Sequence, residues 1–270
     1  MGPKSRPFAE GWVKACLFDL DGCLYAGDSA KPDAVESVNF LLNMGIQAAF
    51  VSNNSSDNPD DIRQKLINMG FKVYKNPILT PAYYAGEFLK RRFGETTVFP
   101  LGSDVLRESL MKSGHEICTE ETPAVVLISR DLNIDFWLIQ KAVYFLQKGS
   151  ILAATNLDYY HPGEEGARIV ETGAIVHSIQ KIIPQSPIII GKPSAFLFIK
   201  ALEALGTKAR ETLMIGDNYF TDIIGANNVG LKTAFISSGI SIPGRRKVGD
   251  YTIESLAEML KMFELEESFD

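Results

Sequence analysis

Apolar and polar positions along this chain come in blocks. Val13 to Leu20, VKACLFDL, is a nearly continuous apolar run of strand length, and Pro32 to Met44 then places Ala34, Val38, Leu41 and Leu42 on one helical face. Ile46 to Val51 predicts a second strand. Asp60 to Met69 carries Ile62, Leu66 and Met69 at helical spacing and stops at Gly70. The same alternation closes the chain: helix Ser194 to Leu205, strand Thr212 to Ile215, helix Tyr219 to Asn228 and strand Lys232 to Ile236. Continuous apolar strands between amphipathic helices predict a parallel sheet covered on both faces.

A second series lies between these flanks. Helices are expected at Ala82 to Phe93, Asp104 to Lys112, Asp135 to Gln147 and Gly173 to Ile182, and strands at Thr97 to Leu101, Ala124 to Ile128 and Ile151 to Ala154. Proline-containing stretches border it, NPILTP at 76–81 and IIPQSP at 182–187. The expected organisation is therefore α/β: a Rossmann-like parallel-sheet core made of residues 1–79 and 188–270, interrupted by an inserted α/β unit at 80–187. The tail ELEESFD, residues 264–270, and the extreme N-terminus are expected to be solvated ends.

Composition narrows the class of function. No run approaches the roughly 18 to 20 apolar residues of a membrane span, and MGPKSRPFAEGW lacks a secretory apolar stretch, so a cytoplasmic location is expected. The net charge of −6, without a long Lys/Arg block, argues against a nucleic-acid surface and for a small-molecule partner. Cys16, Cys23 and Cys118 lack metal-ligand spacing and are expected to be reduced.

Chemistry concentrates just past the apolar strands, where open parallel sheets bind ligands. Asp19 and Asp21 follow the first strand, Ser52, Asn53 and Asn54 the second, Gly191-Lys192-Pro193 the run Ile188 to Ile190, and Gly216-Asp217 with Asp222 the strand from Thr212. Two carboxylates two positions apart on a strand share a side and repel, which a divalent cation would relieve. Asp217 could complete such a set. Turn and helix-cap roles are the ordinary alternative for these aspartates, as loop chemistry is for Ser-Asn-Asn-Ser and a solvated surface position is for Lys192.

In this order and on these elements, DLDGCLY, VSNN, GKP and GDNYFTD resemble the four motifs of haloacid dehalogenase (HAD) superfamily phosphatases. LGSDVLRESLMKSG, ATNLDYYHP and ETGAIVHSIQ resemble the large α/β cap of its subfamily of NagD-like, p-nitrophenyl, pyridoxal and phosphoglycolate phosphatases. The resemblance implies Asp19 as nucleophile, Asp21 as general acid and base, and Mg²⁺ held by Asp19, the main-chain carbonyl of Asp21, and Asp217. It also implies Ser52, Asn53, Asn54 and Lys192 around the phosphoryl group, and Asn218 and Asp222 orienting metal-bound water or Lys192. Cys23, Arg130 and Leu157 depart from residues common in relatives, which bears on substrate choice.

The cap loop offers Asn156, Asp158, Tyr159, Tyr160 and His161 as candidates for reading the substrate, with Arg130 and Glu171 behind them; each could instead simply pack, cap a turn or face solvent. His115 and His177 are expected on the surface or a helix face. The implied activity is Mg²⁺-dependent hydrolysis of a small phosphorylated metabolite; a homodimer is compatible with the resemblance, since caps of this size often carry the dimer contact in relatives, but the residues leave the oligomeric state open. A phosphorylatable receiver-like module and a phosphotransferase to another acceptor are the alternatives. Asp21 and the insertion argue against a receiver, whose fold alone would be compatible.

Overall fold

The computed structural model describes residues 12–162, 167–240 and 249–263. Both chain ends, including the 264–270 tail, lie outside the described residues. The chain divides into two compact units: Met1–Val51, Arg63–Pro77 and Phe198–Asp270 form one, and Ser52–Ile62 with Ile78–Leu197 the other.

In the first unit five parallel strands run in the order Tyr251–Ile253, Lys232–Ile240, Thr212–Asn218, Ala15–Phe18 and Gln47–Val51. Ala15 pairs with Thr212 on one side and Gln47 on the other. Every side chain of Ala15–Phe18 is buried, which is why this strand reads as a continuous apolar run without alternation. Helix Ala34–Asn43 turns Ala34, Ser37, Val38 and Leu41 inward and packs against helix Leu256–Phe263. Asp33, in the left-handed region at φ 61°, precedes it, and Gly45 at φ 80° follows it.

The second unit has its own parallel sheet, in the order Ile188–Ile189, Ile151–Ala154, Val125–Ile128, Thr97–Leu101 and Glu116–Ile117. Its strands alternate faithfully. Phe99, Leu101, Val126, Ile128, Leu152 and Ala154 meet helices Phe136–Gln147 and Thr172–Gln180. Val98, Val125, Leu127 and Ala153 join Ala85 and Leu89 of helix Ala85–Phe93, and Leu106 and Leu110 of helix Asp104–Lys112. Ile188–Ile189, grouped with the flanking core on sequence, pairs with Ile151–Ala154 in this second sheet. An apolar run does not encode which sheet it joins.

The expected helix from Tyr219 begins as a π-helical turn, Tyr219–Ile223, before regular helix Ile224–Val229. The short antiparallel pair Tyr160–Pro162 with Arg168–Val170 has no counterpart in the expected elements, nor have strand Tyr251–Ile253 and helix Leu256–Phe263.

Phe145 is buried among these residues with its ring 5.1 Å from Phe99, edge to face. Replacing it with Ala should cost about 3–5 kcal/mol, read as a lower denaturation midpoint in urea.

Candidate active site

In the first unit, parallel strands bring carboxylates distant in sequence to one edge. The Asp19 N–H donates to Ile215 O at 2.9 Å, continuing the ladder one residue past Phe18 and leaving the side chain at the strand end. The chain then turns sharply: Gly22 adopts φ 87°, its N–H bonds to Tyr25 O at 2.9 Å, and Leu24 N–H bonds to Leu20 O at 2.8 Å. Asp217 lies on the neighbouring strand, Thr212–Asn218, and Asp222 on the π-helical turn after it.

Asp19, Asp217 and Asp222 each bring one carboxylate oxygen within 4.8 Å of the others, with Asp19 and Asp222 buried. Two glycines make this crowding feasible. A Cβ at Gly22 would collide with the Asp217 carboxylate, and one at Gly216 with that of Asp222. Asp222 is pinned further, its Oδ2 accepting from Asn218 N–H at 3.0 Å, while Asn218 Oδ1 accepts from Phe220 N–H at 3.0 Å. The Asp21 carboxylate stands outside the cluster, accepting at Oδ2 from Tyr25 OH at 3.3 Å.

At this separation two unit charges repel by about 3–4 kcal/mol at an effective dielectric of ~20. An oxygen-only set of carboxylates, two of them buried, suits a hard divalent cation such as Mg²⁺. Asp222, expected to act through water or Lys192, stands beside Asp19 and Asp217 themselves.

The second unit gathers the other sequence candidates around Asn53. Its Oδ1 accepts from Lys192 N–H at 2.8 Å, and its Nδ2 donates to Lys192 O at 3.1 Å and to Asp158 Oδ2 at 2.8 Å. Asn156 Nδ2 donates to Asn53 O at 2.8 Å, and its Oδ1 accepts from Asp158 N–H at 3.2 Å. A Cβ at Gly191 would meet Asn53 Oδ1 and Thr155 O, so glycine there lets the segments close. Ser52, buried, accepts from Asn54 N–H at 3.0 Å; Asn54 in turn holds its own loop, its Oδ1 accepting from Ser56 and Asp57 N–H. Lys192 is 2 % exposed, far from a solvated surface lysine.

Behind this loop runs a set of hydroxyls absent from the sequence candidates. Ser129 Oγ donates to Ser55 O at 2.9 Å, Thr155 Oγ1 to Ser129 Oγ at 3.2 Å, and Ser55 Oγ lies 3.3 Å from Thr172 Oγ1. A hydroxyl residue directly after an apolar strand, as in Ile128-Ser129 and Ala154-Thr155, was the available signal.

The remaining candidates separate. Tyr159 is exposed, its ring 4.7 Å from that of His177, which bonds Gly173 O through Nδ1; Tyr160 lies under the guanidinium of Arg168. His161 Nδ1 meets Glu171 Oε1 at 2.8 Å. His115 corrects the surface expectation: it is buried, its Nδ1 accepting from Thr96 N–H at 3.3 Å and Nε2 donating to Gly86 O at 2.9 Å, a structural tautomer that ties two segments.

A parallel sheet with metal-competent carboxylates at adjacent strand ends defines a class of enzymes that handle a ligand at the sheet's carboxyl edge. The pattern of the haloacid dehalogenase-like hydrolase family matches residues 16–116, and that of the HAD-hydrolase-like family residues 189–259. An acid sugar phosphatase of Staphylococcus aureus is 31% identical over 228 residues, 84% of this chain and 88% of the relative. Among solved structures, 4-nitrophenylphosphatase from Thermotoga maritima superposes with a TM-score of 0.84 at 28% identity, covering 94% of this chain and 98% of that one. NagD from E. coli K-12 gives 0.81 at 27%, covering 91% and 98%. The chain belongs to the haloacid dehalogenase-like hydrolases.

Gly22→Ala would meet both the left-handed backbone and the Asp217 carboxylate. Titration calorimetry should show Mg²⁺ affinity lowered by about 10- to 100-fold, the range seen when partners that orient metal ligands are disturbed.

Proposed function

We propose that the protein is a Mg²⁺-dependent phosphatase of small phosphomonoesters that acts through an aspartyl-phosphate on Asp19. The observation that carries this reading is the clustering of Asp19 and Asp217, at adjacent strand ends, with Asp222 of the following π-helical turn in a hydrolase of this family. Asp19 attacks phosphorus in line, the bond to the leaving oxygen breaks, and Asp21 delivers the proton that oxygen requires. Asp21 then takes a proton from water as it attacks the acyl-phosphate, returning Asp19 to a free carboxylate and releasing inorganic phosphate. The hydrogen bond from Tyr25 OH gives the Asp21 carboxylate a fixed orientation for both transfers.

Asp19, Asp217 and the main-chain carbonyl of Asp21 would hold Mg²⁺, with Asp222 adjacent. When bound, the ion offsets the charge of the carboxylates and of the transferring group. The Ser52 hydroxyl, the N–H groups of the following loop and the Lys192 ammonium supply donors to the phosphoryl oxygens, and Asn53 keeps Lys192 and Asp158 in register.

Asn156, Asp158, Tyr159 and His161 are assigned to reading the leaving group. The names of the relatives, a sugar phosphatase and a nitrophenylphosphatase, support a small phosphorylated metabolite as substrate. Among the described residues no helix is long and apolar enough to cross a membrane, in keeping with a cytoplasmic enzyme acting on such a substrate.

With Mg²⁺ present, Asp19→Asn should lower release of phosphate from p-nitrophenyl phosphate by more than ~1,000-fold. Retained turnover in a pure, folded variant would remove Asp19 from the nucleophile's role. Asp21→Asn should instead make the rate steeply dependent on the leaving group's acidity, so that nitrophenyl esters survive far better than alkyl esters. A rate of acyl-phosphate formation, read as the pre-steady-state release of the alcohol, lowered equally for both would contradict the acid's role.

A further inference from the structure

Glu171 sits in the second unit as a largely buried carboxylate facing two basic groups. Its Oε1 lies 2.8 Å from His161 Nδ1 and 3.4 Å from Arg130 Nε, and its Oε2 accepts from Thr172 N–H at 3.3 Å. Only 11% of its side chain is exposed, against 19% for Arg130 and 35% for His161. Arg130 reaches onward, donating from Nη1 to Ser56 Oγ at 3.2 Å and from Nε to Val170 O at 3.4 Å. Ser56 N–H donates to Asn54 Oδ1, and Asn54 N–H donates to Ser52 Oγ. A path of one ion pair and three hydrogen bonds therefore runs from Glu171 through Arg130, Ser56 and Asn54 to Ser52.

We infer that Glu171 is a positioning residue that, by holding Arg130 and His161, fixes the 52–57 loop and the 160–162 strand relative to each other for turnover. The inference rests on reading Ser52 and its loop as the phosphoryl-binding segment. Arg130 follows strand Val125–Ile128, Glu171 precedes helix Thr172–Gln180, and His161 lies on the short antiparallel pair, so one carboxylate joins three segments of the second unit.

The electrostatics set this carboxylate apart from a purely structural ion pair. Burial pushes the Glu171 carboxyl above the ordinary carboxylate range, although His161 and Arg130 pull it down. A folded state that binds the proton more tightly than the unfolded chain loses stability as pH rises from the unfolded value through the raised one. Folding thus disfavours the ionised form of Glu171 relative to the protonated one. The carboxylate has a use other than stability: Oε1 meets Arg130 and His161 while Oε2 accepts from Thr172 N–H, where an amide would turn a donor toward one of these donors. Arg130 and His161 are the charged or titratable groups facing Glu171 from the neighbouring elements.

The test compares wild type with Glu171→Gln, Arg130→Met and Arg130→Lys on p-nitrophenyl phosphate with Mg²⁺, recording kcat, KM, their pH dependence from acid to neutral, and Tm. Glu171→Gln should lower kcat/KM by about 10- to 100-fold, more than any change in Tm accounts for, and should change the shape of the acid-side fall in activity by removing the part that follows protonation of Glu171. Arg130→Met should show a similar loss of kcat/KM, and Arg130→Lys should recover much of it. Should Glu171→Gln fail to fold, the Arg130 pair carries the decision.

Values of kcat/KM within about twofold of wild type, a loss that merely tracks a lower Tm, or an acid limb unchanged in shape would each overturn the inference while wild type still turns over. Absence of phosphate release by wild type, or turnover retained by Asp19→Asn, would instead strike the phosphatase reading on which it rests.

Discussion

The arrangement of the first unit turns on one electrostatic constraint: three carboxylates held close together in a mostly buried place. Their mutual repulsion would drive them apart, so their environment is built to prevent it. The strand ladder fixes Asp19 through its own N–H, the strand beside it carries Asp217, and the π-helical turn swings Asp222 back so that Asn218 N–H can clasp it. Gly22 and Gly216 matter here for what they lack, since a methyl group at either would occupy the volume of a carboxylate. A divalent cation bound there would offset the charge of all three carboxylates at once, which is how such a site can favour a hard divalent ion over the water it must shed.

The second unit solves a different problem, that of holding polar groups in register without a cation. Asn53 does most of this with one amide, whose oxygen and nitrogen both engage the Lys192 backbone while the nitrogen also meets Asp158. An amide is suited to this because it donates and accepts at once, where a carboxylate or an ammonium could do only one. The hydroxyls of Ser55, Ser129, Thr155 and Thr172 extend the network, satisfying polar groups that strand ends would otherwise bury unpaired.

Periodicity exposed most of the regular structure because the strands are buried on both faces and the helices on one. Thr97–Leu101, Asp104–Lys112 and Ile151–Ala154 lie where the apolar pattern put them. Short two- and three-residue strands carry too few positions for a period to emerge, so Glu116–Ile117 and the pair around Tyr160 and Arg168 were invisible. The strand-end aspartates, Lys192 and Asn53 could be found because strand ends are predictable and their residue types are chemically loaded. Nothing local revealed the π-helical turn that puts Asp222 among the other acids, the burial of His115, or the ion pair of Arg130 with Glu171, since each depends on partners remote in sequence.

The pairing of Ala15–Phe18 with both Gln47–Val51 and Thr212–Asn218 has a consequence for how the protein is made. During synthesis the early partner emerges soon after the first strand, whereas the other side waits until most of the chain has left the ribosome. Throughout that interval an apolar strand presents unpaired amides and carbonyls to its surroundings, a template for mispairing. Most of the second unit, with its own sheet and two-sided core, is made during the same interval, and once folded it shortens the effective loop that must close last. The central strand of this sheet can therefore be closed on both edges only after Thr212–Asn218 has been made.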